Sequence, residues 1–184
     1  MKYVVLTLLF FSSLISFAQN KTFKDYNFKE LMTESKATFK MPRGFGEIPV
    51  TKKSAQFYQY AIRDTATGFE ARYYIKPYHL HNEAAKDDSA TYKSFVTIVS
   101  NISSSPHPDI QPVDPAHARA DLHADYGLTS YFNPTSEFAP GYKSCVTMLI
   151  RKDNVGEIYI FMLFNTFDRE TEIIIQDIIG SVDF

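Results

Sequence analysis

Tyr142 to Phe167 reads Tyr-Lys-Ser-Cys-Val-Thr-Met-Leu-Ile-Arg-Lys-Asp-Asn-Val-Gly-Glu-Ile-Tyr-Ile-Phe-Met-Leu-Phe-Asn-Thr-Phe. Two runs rich in β-branched and aromatic residues flank a polar turn that ends in Gly156, the signature of a β-hairpin. Neither run alternates cleanly between apolar and polar. In the second, Ile158, Ile160, Met162 and Phe164 point one way and Tyr159, Phe161 and Leu163 the other. A strand that is apolar on both sides must be covered on both sides. The hairpin is therefore expected at the centre of a layered structure.

The segments around it supply the layers. Gln56 to Arg63 and Phe69 to Lys76 form a second hairpin across Asp64-Thr65-Ala66-Thr67-Gly68. Phe69, Ala71, Tyr73 and Ile75 share one face of its second strand, and Glu70, Arg72, Tyr74 and Lys76 the other. That half-polar face is expected to meet water or a partner, with Pro77 ending the run. Ala37 to Met41 and Leu128 to Phe132 read as further short strands. Asp87-Asp88-Ser89 caps a helix whose stripe is Tyr92, Phe95, Val96, Val99 and Ile102. Asp114-Pro115 opens a shorter helix through Ala124, expected to end at Gly127. Asp168 caps a closing helix striped with Ile174, Ile175, Ile178 and Ile179 and stopped by Gly180. Met41-Pro42-Arg43-Gly44-Phe45-Gly46 and the Ser/Pro-rich Ser103 to Pro115 read as loops. About six antiparallel strands with helices on both faces make this an α+β protein, an α/β/α sandwich.

A chain of 184 residues with 45% hydrophobic and 22% charged content fits one ordinary globular domain, expected over residues 37–184. Residues 19–36 read as a polar lead-in carrying one short helical turn. Residues 1–18 carry the pattern of an export signal: Lys2, an apolar run from Tyr3, then Ser16-Phe17-Ala18, which predicts cleavage between Ala18 and Gln19. The apolar run is shorter than the roughly 20 residues a spanning helix needs, so no membrane insertion is expected after cleavage. The expected location is the periplasm or the cell exterior. A net charge of −2 argues against non-specific nucleic-acid binding. Residues 21–80 hold eleven Lys/Arg against six Asp/Glu, and residues 81–184 seven against fifteen. That asymmetry cancels if the halves pack together.

With the order of elements in hand, the chain resembles the PsbP-like α/β sandwich. The matching segments are Phe39-Lys40-Met41-Pro42-Arg43-Gly44-Phe45, the internal helix, the late hairpin and the ending Ile178-Ile179-Gly180-Ser181-Val182-Asp183-Phe184. His123-Ala124-Asp125-Tyr126-Gly127-Leu128 and Tyr142-Lys143-Ser144-Cys145 are also similar to segments of small exported bacterial proteins of unassigned function. The resemblance implies a binding or accessory role, since this fold is not chiefly an enzyme scaffold.

Two classes of function follow. The first is a non-catalytic binding or accessory protein of the cell envelope, needing no cofactor and taking a protein or a small ligand. It would use Glu70, Arg72, Tyr74 and Lys76 or the loop from Pro106 to Pro115. The second is a small exported hydrolase or metal-dependent enzyme. For it, His79 and His81 share a strand face, and His117 and Asp121 stand four apart on a helix. Such pairs become a site only if three or four ligands converge. Cys145, with His123 or His117 as base, could serve as a nucleophile only if exposed and activated. Its place among apolar neighbours is that of a packing residue.

Overall fold

The structure, a computed structural model, describes residues 26–50, 57–81 and 87–184. The expected leader and its cleavage point at Ala18 and Gln19 lie outside the described residues. In chain order the elements are α1 (Phe28–Glu34), β1 (Thr38–Phe39), β2 (Phe45–Glu47), β3 (Tyr60–Asp64), β4 (Glu70–Pro77) and, after a 3-10 turn at Tyr78–His81, α2 (Asp88–Ile102). β5 (Asp109–Pro112), α3 (Pro115–Leu122), β6 (Tyr126–Phe132), β7 (Ser144–Lys152), β8 (Gly156–Phe164), α4 (Arg169–Ile179) and β9 (Val182–Asp183) follow. The protein is α+β.

The hairpin of β7 and β8 stands where its two apolar faces require. The main sheet has seven antiparallel strands in the order β2-β3-β4-β8-β7-β6-β5, and β8 is buried along its whole length between β4 and β7. Ile158, Ile160, Met162 and Phe164 face α1 and α4, packing with Leu31, Met32, Ile175 and Ile178. Tyr159, Phe161 and Leu163 face α2, packing with Phe95, Val99 and Ile102. Gly156 starts β8 because β4 crosses there: a Cβ on it would stand 2.6 Å from the Lys76 carbonyl oxygen. No larger residue fits without moving that backbone.

Several expectations change in detail. The strand at Ala37 to Met41 exists only as β1, and it leaves the main sheet to pair with β9. In its place two edge strands complete the sheet, β2 from the Gly-punctuated loop and β5 from within the Ser/Pro-rich stretch. Both are short and mostly exposed, and Pro112 ends β5, which suits strands paired on one side only. The lead-in is more than a turn. Asn27 and Glu30 form a reciprocal capping box, and the helix they start drives Leu31 and Met32 into the core. Gly127 does not end α3; His123 in the left-handed conformation does, and Gly127 lies in β6 against Val113.

The cap predictions hold at Asp87, Asp114 and Asp168, each of which accepts amide hydrogens in the first helical turn. On α2 the buried stripe is Thr91, Phe95, Val99 and Ile102, whereas Tyr92 is 44% exposed. On α4, Ile175 and Ile178 are buried and Ile174 and Ile179 half-buried.

Candidate functional site

The half-polar face of β4 divides into two parts. Glu70 and Arg72 are only 1% and 5% exposed, because the face they share is roofed by Phe138, Ala139 and Tyr58. Arg72 Nε donates to Glu70 Oε1 at 2.6 Å, and another guanidinium nitrogen donates to the Phe138 carbonyl. The guanidinium lies 4.7 Å from the centre of the Tyr58 ring and 5.0 Å from that of Phe138. Arg63 and the Tyr142 hydroxyl donate to the other Glu70 oxygen, Tyr142 at 3.0 Å. Burial acts to raise the Glu70 carboxyl, but Arg72, Arg63 and Tyr142 together hold it below its ordinary value. Burial and the neighbouring Glu70 charge push the Tyr142 hydroxyl up to about 12. This half of the expected surface is thus a closed ion-pair network. It is not open to a ligand.

Tyr74 and Lys76, further along β4, remain half-buried. The reason is the width of the sheet. One helix, α2, covers this face and lies towards β6, so β4 runs along its margin. Between helix and strand are two adjoining hollows, both bordered by Tyr74 and Ile98, which together form a trough with two ends. One end, about 380 Å³, is walled by Lys76 of β4 and by Lys93, Ser94 and Thr97 of α2. The other, about 240 Å³, is lined by Phe57, Ile102, Phe138 and Phe161, with Asn101 at its rim. Tyr159 forms part of the floor, its ring edge-on to Tyr74 at 5.7 Å. The Tyr159 hydroxyl is turned away, donating to Glu157 at 2.9 Å. Lys93 and Thr97 lie four apart on one side of α2, beside its buried stripe. That spacing is the sequence signal that could have placed them in the wall.

Behind the floor lies a second buried polar cluster. Glu157 is fully buried and accepts from the hydroxyls of Tyr78, Thr91 and Tyr159. Thr91 in turn accepts from Arg151 at 3.0 Å, and Arg151 also binds Asp88 at 2.7 Å and Asp153 at 2.9 Å. Burial and the Glu157 carboxylate raise the Tyr78 and Tyr159 hydroxyls far above the usual phenol range. Both Glu157 oxygens accept from hydroxyl donors, and the cluster ties the start of α2 to the hairpin end.

The histidines are dispersed. His79 pairs with Glu34 of α1 at 2.9 Å, His117 with Asp121 on the same helix, and His123 with Asp183 of β9 at 2.6 Å. His81 ends the 3-10 turn. Among the described residues no group of three or more His, Cys, Asp or Glu side chains could hold a metal ion. Cys145 is buried on the α2 face, with its sulfur 3.4 Å from the Thr147 hydroxyl, and burial pushes its thiol up to about 12. A thiol so placed has neither the access nor the thiolate character of a nucleophile.

A larger cleft of about 680 Å³ lies across the sheet beside α1. Its wall is the aromatic group of Phe28, Phe39 and Tyr60, with Phe28 and Tyr60 stacked at 3.9 Å, and its rim carries both Lys29 and Glu47. Tyr26 and Asn27, where the described chain starts, form part of that rim.

Compared with family models, curated proteins and solved structures, the chain finds no match. The PsbP-like resemblance accordingly rests on the element order and the segments quoted for it.

Proposed function

We propose that this protein is an exported, non-catalytic binding or accessory protein of the cell envelope, built as a PsbP-like α/β sandwich. Its ligand site is the trough between α2 and β4. The observation that carries this reading is the trough's construction: a preformed cleft with an aromatic floor and, among the described lining residues, its lysines at one end. Few polar groups fixing a largely apolar body is the usual make-up of a small-molecule site. The residue types that would serve a catalytic role are occupied elsewhere. Cys145 is buried and the pairs of His79, His117 and His123 lie on different elements. No helix among the described residues is long and apolar enough to cross a membrane, and the leader pattern of residues 1–18 supports export.

One experiment addresses both parts. The full chain is expressed in a bacterial host, recovered from the periplasm, and titrated with the neutral apolar fluorophore N-phenyl-naphthylamine. The recovered chain is expected to begin at Gln19, and fluorescence to rise on binding. Thr97→Trp, at the exposed rim, should fill the trough and abolish the rise. A chain retained in the cytoplasm would remove the export reading. No rise, or an equal rise in folded Thr97→Trp, would remove the trough as the site.

A further inference from the structure

We infer that the apolar end of the trough takes a neutral, flat aromatic compound of one or two rings with one hydrogen-bonding substituent. This deepens the binding reading and rests on it. The hollow at that end, about 240 Å³, is lined by Phe57, Tyr74, Phe138 and Phe161 and by the aliphatic Ile98 and Ile102. Phe57 and Phe161 both stand nearly perpendicular to Phe138, at 78° and 70°, with ring centres 5.6 and 5.3 Å away. Rings set at such angles offer faces and edges together. An aromatic guest gains edge-to-face and offset-stacked contacts there, whereas an alkyl guest gains burial alone.

Size and charge narrow the guest further. The hollow exceeds the roughly 150 Å³ that holds one benzene and falls short of the roughly 300–1,000 Å³ usual for drug-sized ligands. One substituted ring, or two fused rings, fits that interval. None of the described lining residues is charged. The Arg72 guanidinium already lies 5.0 Å from the centre of the Phe138 ring and is paired with Glu70. A cationic guest would meet a like charge at that ring, and an anionic one would leave water with no charged partner among the described lining residues. Asn101, three residues along α2 from Ile98, stands exposed at the rim. Its carboxamide can donate and accept, and among the described residues no hydrogen bond engages it. One hydroxyl or ring N–H at the mouth of the hollow would complete it.

The test is calorimetric titration of the purified chain at neutral pH with 2-naphthol, its saturated counterpart decahydro-2-naphthol, and 2-naphthoate. The expected result is that 2-naphthol binds about tenfold tighter than either of the others, equivalent to about 1.4 kcal/mol. Phe57→Leu keeps an apolar wall but removes one ring, and should weaken 2-naphthol about fivefold while leaving decahydro-2-naphthol unchanged. Asn101→Leu, at an exposed position, should weaken 2-naphthol about threefold and leave 2-methylnaphthalene, which has no hydroxyl, unchanged. No binding of 2-naphthol, equal affinity for its saturated counterpart, or tighter binding of 2-naphthoate overturns the inference while the trough still binds N-phenyl-naphthylamine. Equal losses of both naphthol ligands in folded Phe57→Leu would assign that ring to packing and overturn the aromatic preference. An unchanged 2-naphthol affinity in Asn101→Leu would overturn the hydrogen-bonding substituent. If N-phenyl-naphthylamine itself gives no rise, the underlying reading fails instead.

Discussion

On the face covered by α1 and α4, the sheet meets its helices through Ala71, Ile75, Ile158, Ile160, Met162, Ile175 and Ile178, with a Tyr73–Ser181 hydroxyl contact at 3.2 Å within it. On the face covered by α2, the same strands bury Glu70, Arg72, Thr147, Arg151 and Glu157 among their aromatics. The first face is sealed by apolar packing from α1 and α4, with Leu122 of α3 in the same cluster. The second has one helix for the same sheet width, and among the described residues the rest is closed by ion pairs and a loop, with the trough along one margin. The proposed binding site lies on the side with less helix cover. The cost of that arrangement is that buried charges must be matched residue by residue.

The sharpest way to break the contrast is to unmatch one of those charges. Arg72→Met leaves the buried Glu70 carboxylate with only Arg63 and Tyr142, and removes the donor to Phe138. Denaturant unfolding should show a loss of about 3–5 kcal/mol. Glu70→Leu combined with Arg72→Met should recover most of it, since Arg63 is half-exposed and can turn to water, and Tyr142 keeps its bond to the Gly68 carbonyl. If the double variant is as unstable as the single one, the network is a packing feature and its charges are incidental.

The apolar face should respond to volume alone. Ile178 is fully buried under α4, and Ile178→Ala should cost about 3 kcal/mol through lost burial and the cavity left behind. The same loss is expected across the pH range in which the protein stays folded, because the atoms removed are apolar and carry no charge. A pH-dependent loss would mean that the two faces are coupled through the sheet.

How much of this was legible in the residues follows from what each signal encodes. The double-sided apolar pattern of Ile158 to Phe164 reports burial on both faces directly, and the Asp caps report helix starts through chemistry local to a few residues. Those readings need no knowledge of the rest of the chain. The edge strands β2 and β5 were hidden because a short strand paired on one side carries little apolar pattern and tolerates Gly46 or Pro112. The face of Glu70 and Arg72 misled for a different reason. Charge type reads as exposure until the partners are known, and here the partners are each other across two positions, plus Arg63 opposite in register. That alternation of opposite charges along one strand face was a usable signal. Neither the roof supplied by Phe138 nor the trough's far wall was, because both come from segments distant in sequence.

The smallest effect separates the two faces by their response to acid. Glu70 is held below its ordinary value by Arg72, Arg63 and Tyr142 against the raising effect of burial. A carboxyl depressed in the folded state contributes stability that is fully present above the unfolded value, about 4.3 for Glu, and is lost as pH falls through the folded value. Glu70→Gln keeps the shape and removes the titration. At neutral pH it should cost about 2 kcal/mol through weakened charge-assisted hydrogen bonds. Below the ordinary carboxylate range that difference from the parent protein should shrink, because the parent then loses the same charge by protonation. The quantity to measure is the gap between parent and variant in urea unfolding as pH is lowered, set beside the gap for Ile178→Ala. A narrowing gap for Glu70→Gln and a constant one for Ile178→Ala would confirm that one face is held by charge and the other by volume. A constant gap in both would place the Glu70 contribution in packing and dissolve the distinction.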